Sequence, residues 1–250
     1  VFIIGLDGYV DAAALAPWPH LKLRLGAGGA MLAALRAHQC RDLVLVGPVR
    51  RPSVFDLRPD AEGVKILARI GRAAFAGDDG LLAAVVRVLD EEGFRVVGAH
   101  EILTEILAPA GQMTRAGPDA QAMADIQRGV TVVRALGAVD VGQACVVQQG
   151  IVLSVEAIEG TDAMLARSRA VARPGPGGVL VKLLKPGQDR RADLPTLGPQ
   201  TVRAAALAGL RGIVFEANGT ILTERRAMVE LADEAGLFIL GIEVTQGDIR

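Results

Sequence analysis

A lysine within a run of aliphatic side chains is the first chemical oddity of this chain. Val179-Leu180-Val181-Lys182-Leu183-Leu184 reads as a buried strand, and an ammonium in such a place needs a partner because an isolated charge is costly to remove from water. A phosphate would be such a partner. The segment that follows, Lys185-Pro186-Gly187-Gln188-Asp189-Arg190-Arg191-Ala192-Asp193-Leu194-Pro195-Thr196, sets two arginines between two aspartates. Guanidinium groups fork onto phosphate oxygens, and a carboxylate offers hard oxygen to a divalent metal. The stretch therefore suits a diphosphate and a cation held together. A solvated loop with internal ion pairs fits the same residues.

A second cluster is Glu156-Ala157-Ile158-Glu159-Gly160-Thr161-Asp162, where a strand gives way to a helix. A helix start offers unpaired N–H groups to an anion. Thr161 reads equally as a plain N-cap, with Asp162 complementing the helix dipole. The third is Val46-Gly47-Pro48-Val49-Arg50-Arg51-Pro52 at the end of another expected strand. Gly47 would let a ligand approach the backbone, and Arg50 and Arg51 could fork onto phosphate. His100, in Gly98-Ala99-His100-Glu101, also follows a strand and is a weaker candidate.

Other chemistries lack their residues. The chain has no G-x-G-x-x-G, no G-x-x-x-x-G-K-[ST] and no H-E-x-x-H, which argues against nicotinamide enzymes, P-loop NTPases and zincins. With 27 basic and 28 acidic residues the net charge is -1, so no overall field draws nucleic acid, and an anion must be held by local groups. The two cysteines, Cys40 and Cys145, show no C-x-x-C spacing, and a reducing compartment is the simplest setting. No apolar run approaches the roughly 20 residues needed to span a bilayer.

These candidates need a scaffold of strands and helices, and 250 residues at 51% hydrophobic composition supply it. Aromatics are only 3%, so packing relies on small aliphatic side chains, which suits helices layered on sheets. The amino-terminal half reads as a strand over 1–5, a helix over 30–38 and a strand over 43–46, together a βαβ unit. Helices follow over 62–74 and 78–92, then a strand over 94–97. Proline and glycine concentrate over 109–118, which sets the domain boundary, giving domains 1–114 and 115–250. The second half reads as a helix over 119–136, a hairpin of strands 145–148 and 151–156, a helix over 161–172 and a buried strand over 179–184. Strands over 212–216 and 238–240 then alternate with helices, one of them starting at Glu224.

Read together, the segments resemble the UDP-2,3-diacylglucosamine pyrophosphatases of lipid A synthesis, in the Mg²⁺-dependent alphaproteobacterial form. Gly47-Pro48-Val49-Arg50-Arg51-Pro52 is similar to that family's G-x-V-x-R-P turn, Gly77-Asp78-Asp79 to its G-D-D and Gly98-Ala99-His100-Glu101 to its G-A-H-E. Met123-Ala124-Asp125-Ile126, Asp140-Val141-Gly142-Gln143, the Glu156 to Asp162 segment and Asp193-Leu194-Pro195-Thr196-Leu197-Gly198 extend the match along nearly the whole chain. The family also opens on a strand and a Gly-rich loop of the kind I-A-G-G-G-x-L-P, which would precede Val1. Pro48 stands where many relatives carry a polar or basic residue.

The resemblance implies an α/β protein, with a truncated Rossmann-like amino-terminal domain and a separate α/β carboxy-terminal catalytic domain. It implies Mg²⁺-dependent cleavage of UDP-2,3-diacylglucosamine to UMP and the diacylated sugar phosphate lipid X, with water attacking the α-phosphorus. Asp193 becomes the catalytic residue and the metal ligand, or the base that activates water. Substrate contacts are expected from Gly47, Val49, Arg50, Arg51, His100, Gln143, Glu159, Thr161, Asp162, Lys182, Gln188, Arg190 and Arg191. A cytoplasmic protein touching the inner membrane surface follows, with no nucleic-acid partner and with a homodimer left open. Two other readings stay open: a non-catalytic nucleotide-sugar or lipid-binding module, and a dehydrogenase on a Rossmann-like half.

Overall fold

The computed structural model describes residues 1–47, 49, 57–71 and 78–244, and its backbone contacts divide the chain into two units. One is Val1–Ala99 together with Asp189–Asp193; the other is His100–Gln188 with Leu194–Arg250. Both are α/β, in keeping with the alternating periodicities of the sequence.

In the first unit, β1 (Ile3–Leu6) pairs in parallel with β2 (His20–Leu23), Ile3 opposite His20. Helix α1 (Gly28–Ala37) leads to β3 (Asp42–Leu43), and α2 (Ala61–Ile70) and α3 (Asp78–Glu91) lead to β4 (Arg95–Val96), which pairs in parallel with β3. Leu32, Leu35 and Phe94 form one apolar cluster with Ile66 and Leu89, and Ile70, Ala84 and Val88 form another. Asp60 fastens two helix starts at once. Its carboxylate accepts from Gly63 N at 2.7 Å, capping α2, and from Gly29 N at 3.0 Å and Ala30 N at 3.3 Å in the first turn of α1. A Cβ on Gly63 would lie 2.5 Å from the carbonyl oxygen of Gly26, so this close approach needs glycine.

The βαβ unit expected over residues 1–46 is corrected here. β1 finds its partner in β2, where His20-Leu21-Lys22-Leu23 has three of its four residues exposed and follows Pro17 and Pro19, so no apolar pattern marks it as a strand. The strand expected over 43–46 stops at Leu43, whose carbonyl takes the last ladder bond, from Val97 N at 2.8 Å, and Val46 is 80% exposed. The helix expected over 62–74 closes at Ile70 with Gly71 at φ 56°, and residues 72–77 lie outside the described ones.

The second unit is built on a six-stranded sheet of order β5-β12-β10-β8-β6-β7. Its strands are β5 (Gly111–Gln112), β6 (Ala144–Gln148), β7 (Ile151–Val155), β8 (Val179–Lys182), β10 (Gly212–Glu216) and β12 (Phe238–Ile242). β8, β10 and β12 run parallel, whereas β6 is antiparallel to both β7 and β8. Helix α4 (Ala120–Ala138), capped by Asp119 on Ala122 N, covers one face, where Ile126 and Val133 pack with Cys145, Val147, Val179, Val181 and Val214. Helices α5 (Gly160–Ser168), α6 (Pro199–Leu207) and α7 (Arg225–Glu234) cover the other, where Met164, Leu165, Val202 and Met228 meet Val146, Leu180, Ile213 and Phe215. Covered on both sides, β6 and β8 are buried at every position, which is why they read as continuous apolar runs rather than alternations.

The β6–β7 hairpin forms as its Gln149-Gly150 turn implies, with φ of 54° and 75° at those residues. Asp125 of α4 pins the turn by accepting from Gln149 N at 3.1 Å and Gly150 N at 2.6 Å. The helix expected over 161–172 is α only to Ser168 and continues as a 3₁₀ turn, Arg169–Val171. A small parallel pair, β9 (Thr196–Leu197) and β11 (Ile221–Leu222), completes the unit. No described helix is long and apolar enough to cross a membrane.

Candidate active site

Strands β7, β8 and β10 end at one edge of the six-stranded sheet. The register sets Lys182 opposite Ala144 on one side and Phe215 on the other, and Cys145 opposite Val155. This edge therefore gathers Gln143 before β6, Glu156 after β7, Lys182 at the end of β8 and Glu216 at the end of β10. Carboxyl ends of parallel strands are where open α/β sheets receive ligands, because helix starts and loops converge there.

Strand alternation puts Lys182 on the face of Leu180, under α5 and α6. Its Nζ donates to Thr161 Oγ1 at 3.0 Å and to the carbonyl oxygen of Thr196 at 3.4 Å. Thr161 in turn donates to Glu156 Oε1 at 2.5 Å, and Glu156 Oε2 accepts from Gln143 N at 3.1 Å. Lys182, Thr161 and Glu156 are 7%, 9% and 6% exposed. An ammonium, a hydroxyl and a carboxylate thus follow one another through hydrogen bonds, nearly out of water. The partner that the buried lysine demanded comes, at least in part, from its own unit. The alternative role for Thr161 as an N-cap is not what forms: it is the second residue of α5, and its hydroxyl turns to Glu156.

The neighbouring candidates are variously engaged. Glu159 is held by Arg167 at 2.6 Å, a contact that lowers its pKa, and Arg167 also donates to the carbonyl of Val155. Asp162 is exposed and accepts from Gln200 Nε2 at 3.0 Å. Gln188 is buried, its Oε1 accepting from Lys185 N at 3.1 Å, while Lys185 Nζ meets Asp140 at 2.6 Å. Gln143 keeps its Oε1 buried, as His100 does its Nδ1, and neither atom has a hydrogen-bond partner among the described residues.

The remaining candidates belong to the first unit. Arg191 lies bidentate on Asp189, at 3.0 and 2.8 Å, and reaches Asp90 at 3.4 Å. The pairing with Asp189 raises the Arg191 pKa and lowers that of Asp189. Asp193 is half-buried and Arg190 exposed, and the backbone N–H of Asp193 closes a turn on the carbonyl of Asp189 at 3.1 Å. Gly47, at φ 96°, and Val49 are exposed. Arg50 and Arg51 lie outside the described residues.

No group of three His, Cys, Asp or Glu side chains converges among the described residues. A magnesium ion does not require one, since it takes much of its shell from phosphate and water and needs one or two carboxylates. Asp193, half-buried and already engaged with its surroundings, is the carboxylate the resemblance names for such an ion. Glu156, one of two carboxylates at the expected strand end, was not among the expected substrate contacts, yet it is the one that joins Thr161 and Gln143.

Comparison with known proteins bears on both units. The family model of the LpxI N-terminal domain matches residues 1–106, and that of the LpxI C-terminal domain matches residues 109–240. Over 247 residues the chain is 41% identical to the UDP-2,3-diacylglucosamine pyrophosphatase LpxI of Caulobacter vibrioides, an overlap of 96% of this chain and 88% of that protein.

Proposed function

The chain belongs to the LpxI family, and from that premise we propose that it hydrolyses the pyrophosphate bond of UDP-2,3-diacylglucosamine in lipid A biosynthesis. The products are UMP and 2,3-diacylglucosamine 1-phosphate, lipid X. The observation that carries this reading is the 41% identity to a pyrophosphatase over 96% of the chain, which embraces both units rather than a shared domain. The binding-module reading loses its ground to that likeness.

The diphosphate brings negative charge that must be balanced as the bond to the leaving phosphate breaks. In our reading Lys182 faces the diphosphate from the end of β8. Asp193 is the carboxylate on which turnover depends, as a magnesium ligand or as the base that takes a proton from water. Magnesium, when bound, withdraws charge from the phosphoryl oxygens. The acyl chains of the substrate put the reaction at a lipid surface, and we place the protein on the cytoplasmic face of the inner membrane as a peripheral visitor.

Incubation with UDP-2,3-diacylglucosamine and Mg²⁺ is expected to release UMP, and Asp193→Ala to abolish that release while the circular dichroism spectrum stays that of the parent. A variant that turns over at the parental rate would remove Asp193 from the reaction.

A further inference from the structure

Glu156 is absent from the groups expected to meet the substrate, yet it anchors the array behind Lys182. We propose that Glu156 is a positioning residue: acting through the Thr161 hydroxyl, it fixes the orientation of the Lys182 ammonium at the carboxyl end of β8. The inference rests on the pyrophosphatase reading, with Lys182 facing the diphosphate.

The hydrogens available to the three groups fix their arrangement. An ionised carboxylate only accepts, an ammonium only donates, and a hydroxyl has a single hydrogen to give. Thr161 Oγ1 stands 2.5 Å from Glu156 Oε1 and 3.0 Å from Lys182 Nζ. Its hydrogen must therefore point at Glu156 and a lone pair at Lys182. No other arrangement satisfies all three groups, and burial makes a mismatch expensive because water is not there to repair it. Take away the negative end and the hydroxyl can rotate, so the shorter of the two contacts that hold the Lys182 ammonium, at 3.0 Å against 3.4 Å to the Thr196 carbonyl, loses its fixed direction.

Glu156 is itself held firmly. Its second oxygen accepts from Gln143 N at 3.1 Å, and its backbone N–H donates to Ala144 O at 2.8 Å. Gly142 lies so close that a Cβ there would sit 2.1 Å from the Glu156 carbonyl oxygen. The carboxylate thus comes from the end of β7, held by the start of β6, the hydroxyl from the start of α5 and the ammonium from the end of β8. These elements converge on one hydrogen-bonded chain, and a supporting group of this kind sets the geometry of the side chain that meets the ligand.

The test compares kcat and KM for UMP release by the parent, Glu156→Gln, Thr161→Val, Thr161→Ser, Lys182→Met and the double variant Glu156→Gln/Lys182→Met, each checked for folding by thermal unfolding. Glu156→Gln and Thr161→Val are expected to lose roughly 10- to 100-fold in kcat, the worth of one charge-assisted hydrogen bond, with KM moving less than about threefold. Thr161→Ser, which restores the hydroxyl, is expected to recover most of that loss. In the Lys182→Met background, Glu156→Gln should add nothing, because its effect runs through the lysine. A purely structural Glu156 would leave kcat of the folded variant at the parental value, or would multiply its loss with that of Lys182→Met, and either result overturns the proposal. Should Glu156→Gln fail to fold, the Thr161→Val and Thr161→Ser pair decides: equal kcat in both overturns it. Absence of UMP from the parent protein would defeat the pyrophosphatase reading and this inference with it, whereas parental turnover with unaffected variants defeats the inference alone.

Discussion

Replacing Lys182 by methionine keeps the length of the side chain and deletes its charge, so it measures what the buried array contributes to stability. Lys182 and Glu156 are 7% and 6% exposed, and Thr161 is the hydroxyl between them. Removing one charge of a buried hydrogen-bonded array costs up to about 3–5 kcal/mol, because the opposite charge loses its counterpart. Here Glu156 keeps two donors, Thr161 Oγ1 and Gln143 N, which places the loss near the low end, about 3 kcal/mol. At roughly 2–4 °C per kcal/mol for a domain of this size, the melting temperature should fall by about 6–12 °C. Adding Glu156→Gln removes the orphaned charge and should return about 1–2 kcal/mol. Thermal and urea unfolding of the parent, the two single variants and the double variant give the cycle. If Lys182→Met unfolds within about 0.5 kcal/mol of the parent, or the double variant is simply the sum of the singles, the array is not the coupled unit described.

Asp125→Ala should cost about 2 kcal/mol and speed amide exchange at Gln149 and Gly150, whose N–H groups its buried carboxylate holds; unchanged exchange at those two amides would contradict the pinning. The amides of Gly29 and Gly63 hold the Asp60 carboxyl below its ordinary value of 3.8, so its contribution is complete above that value and is lost as pH falls through the lower folded one. Between about pH 5 and pH 2 the parent should therefore lose more stability than Asp60→Asn, and parallel acid titrations would refute this. Burial pushes the Cys145 thiol up to about 12, so a thiol reagent at neutral pH should label half-buried Cys40 and reach Cys145 only on unfolding. Mass spectrometry of native and denatured samples reads that directly.

The second unit was the more legible in sequence, because its signals are local. Gln149-Gly150 between two apolar runs is a turn on its own chemistry, Asp119 before a helical period is a cap, and the aliphatic runs of β6 and β8 follow from burial on both faces. The first unit misled where pairing is non-local. Nothing within Val1 to Gly5 says that its partner is His20–Leu23, and nothing after Leu43 announces that Val97 supplies the last ladder bond.

The site divides along the same line. Lys182 was conspicuous because its type contradicts its neighbours, and that contradiction is local. Its partners were not, since Thr161 lies 21 residues away and no periodicity encodes that distance. Glu156 hid within a segment whose glycine, threonine and aspartate drew attention to the helix start instead. Arg191 illustrates the reverse: a guanidinium expected for phosphate is bound to Asp189, two residues before it, which is the loop-internal pairing the charge run had also allowed.

The proposed reaction is tested most directly by running it in H₂¹⁸O. Water attack on the α-phosphorus of UDP-2,3-diacylglucosamine places one solvent oxygen in UMP and none in the diacylglucosamine phosphate. Mass spectrometry of the products is expected to find the label in UMP alone. Label in the sugar phosphate, or no UMP at all from the folded protein with Mg²⁺ present, would contradict the account.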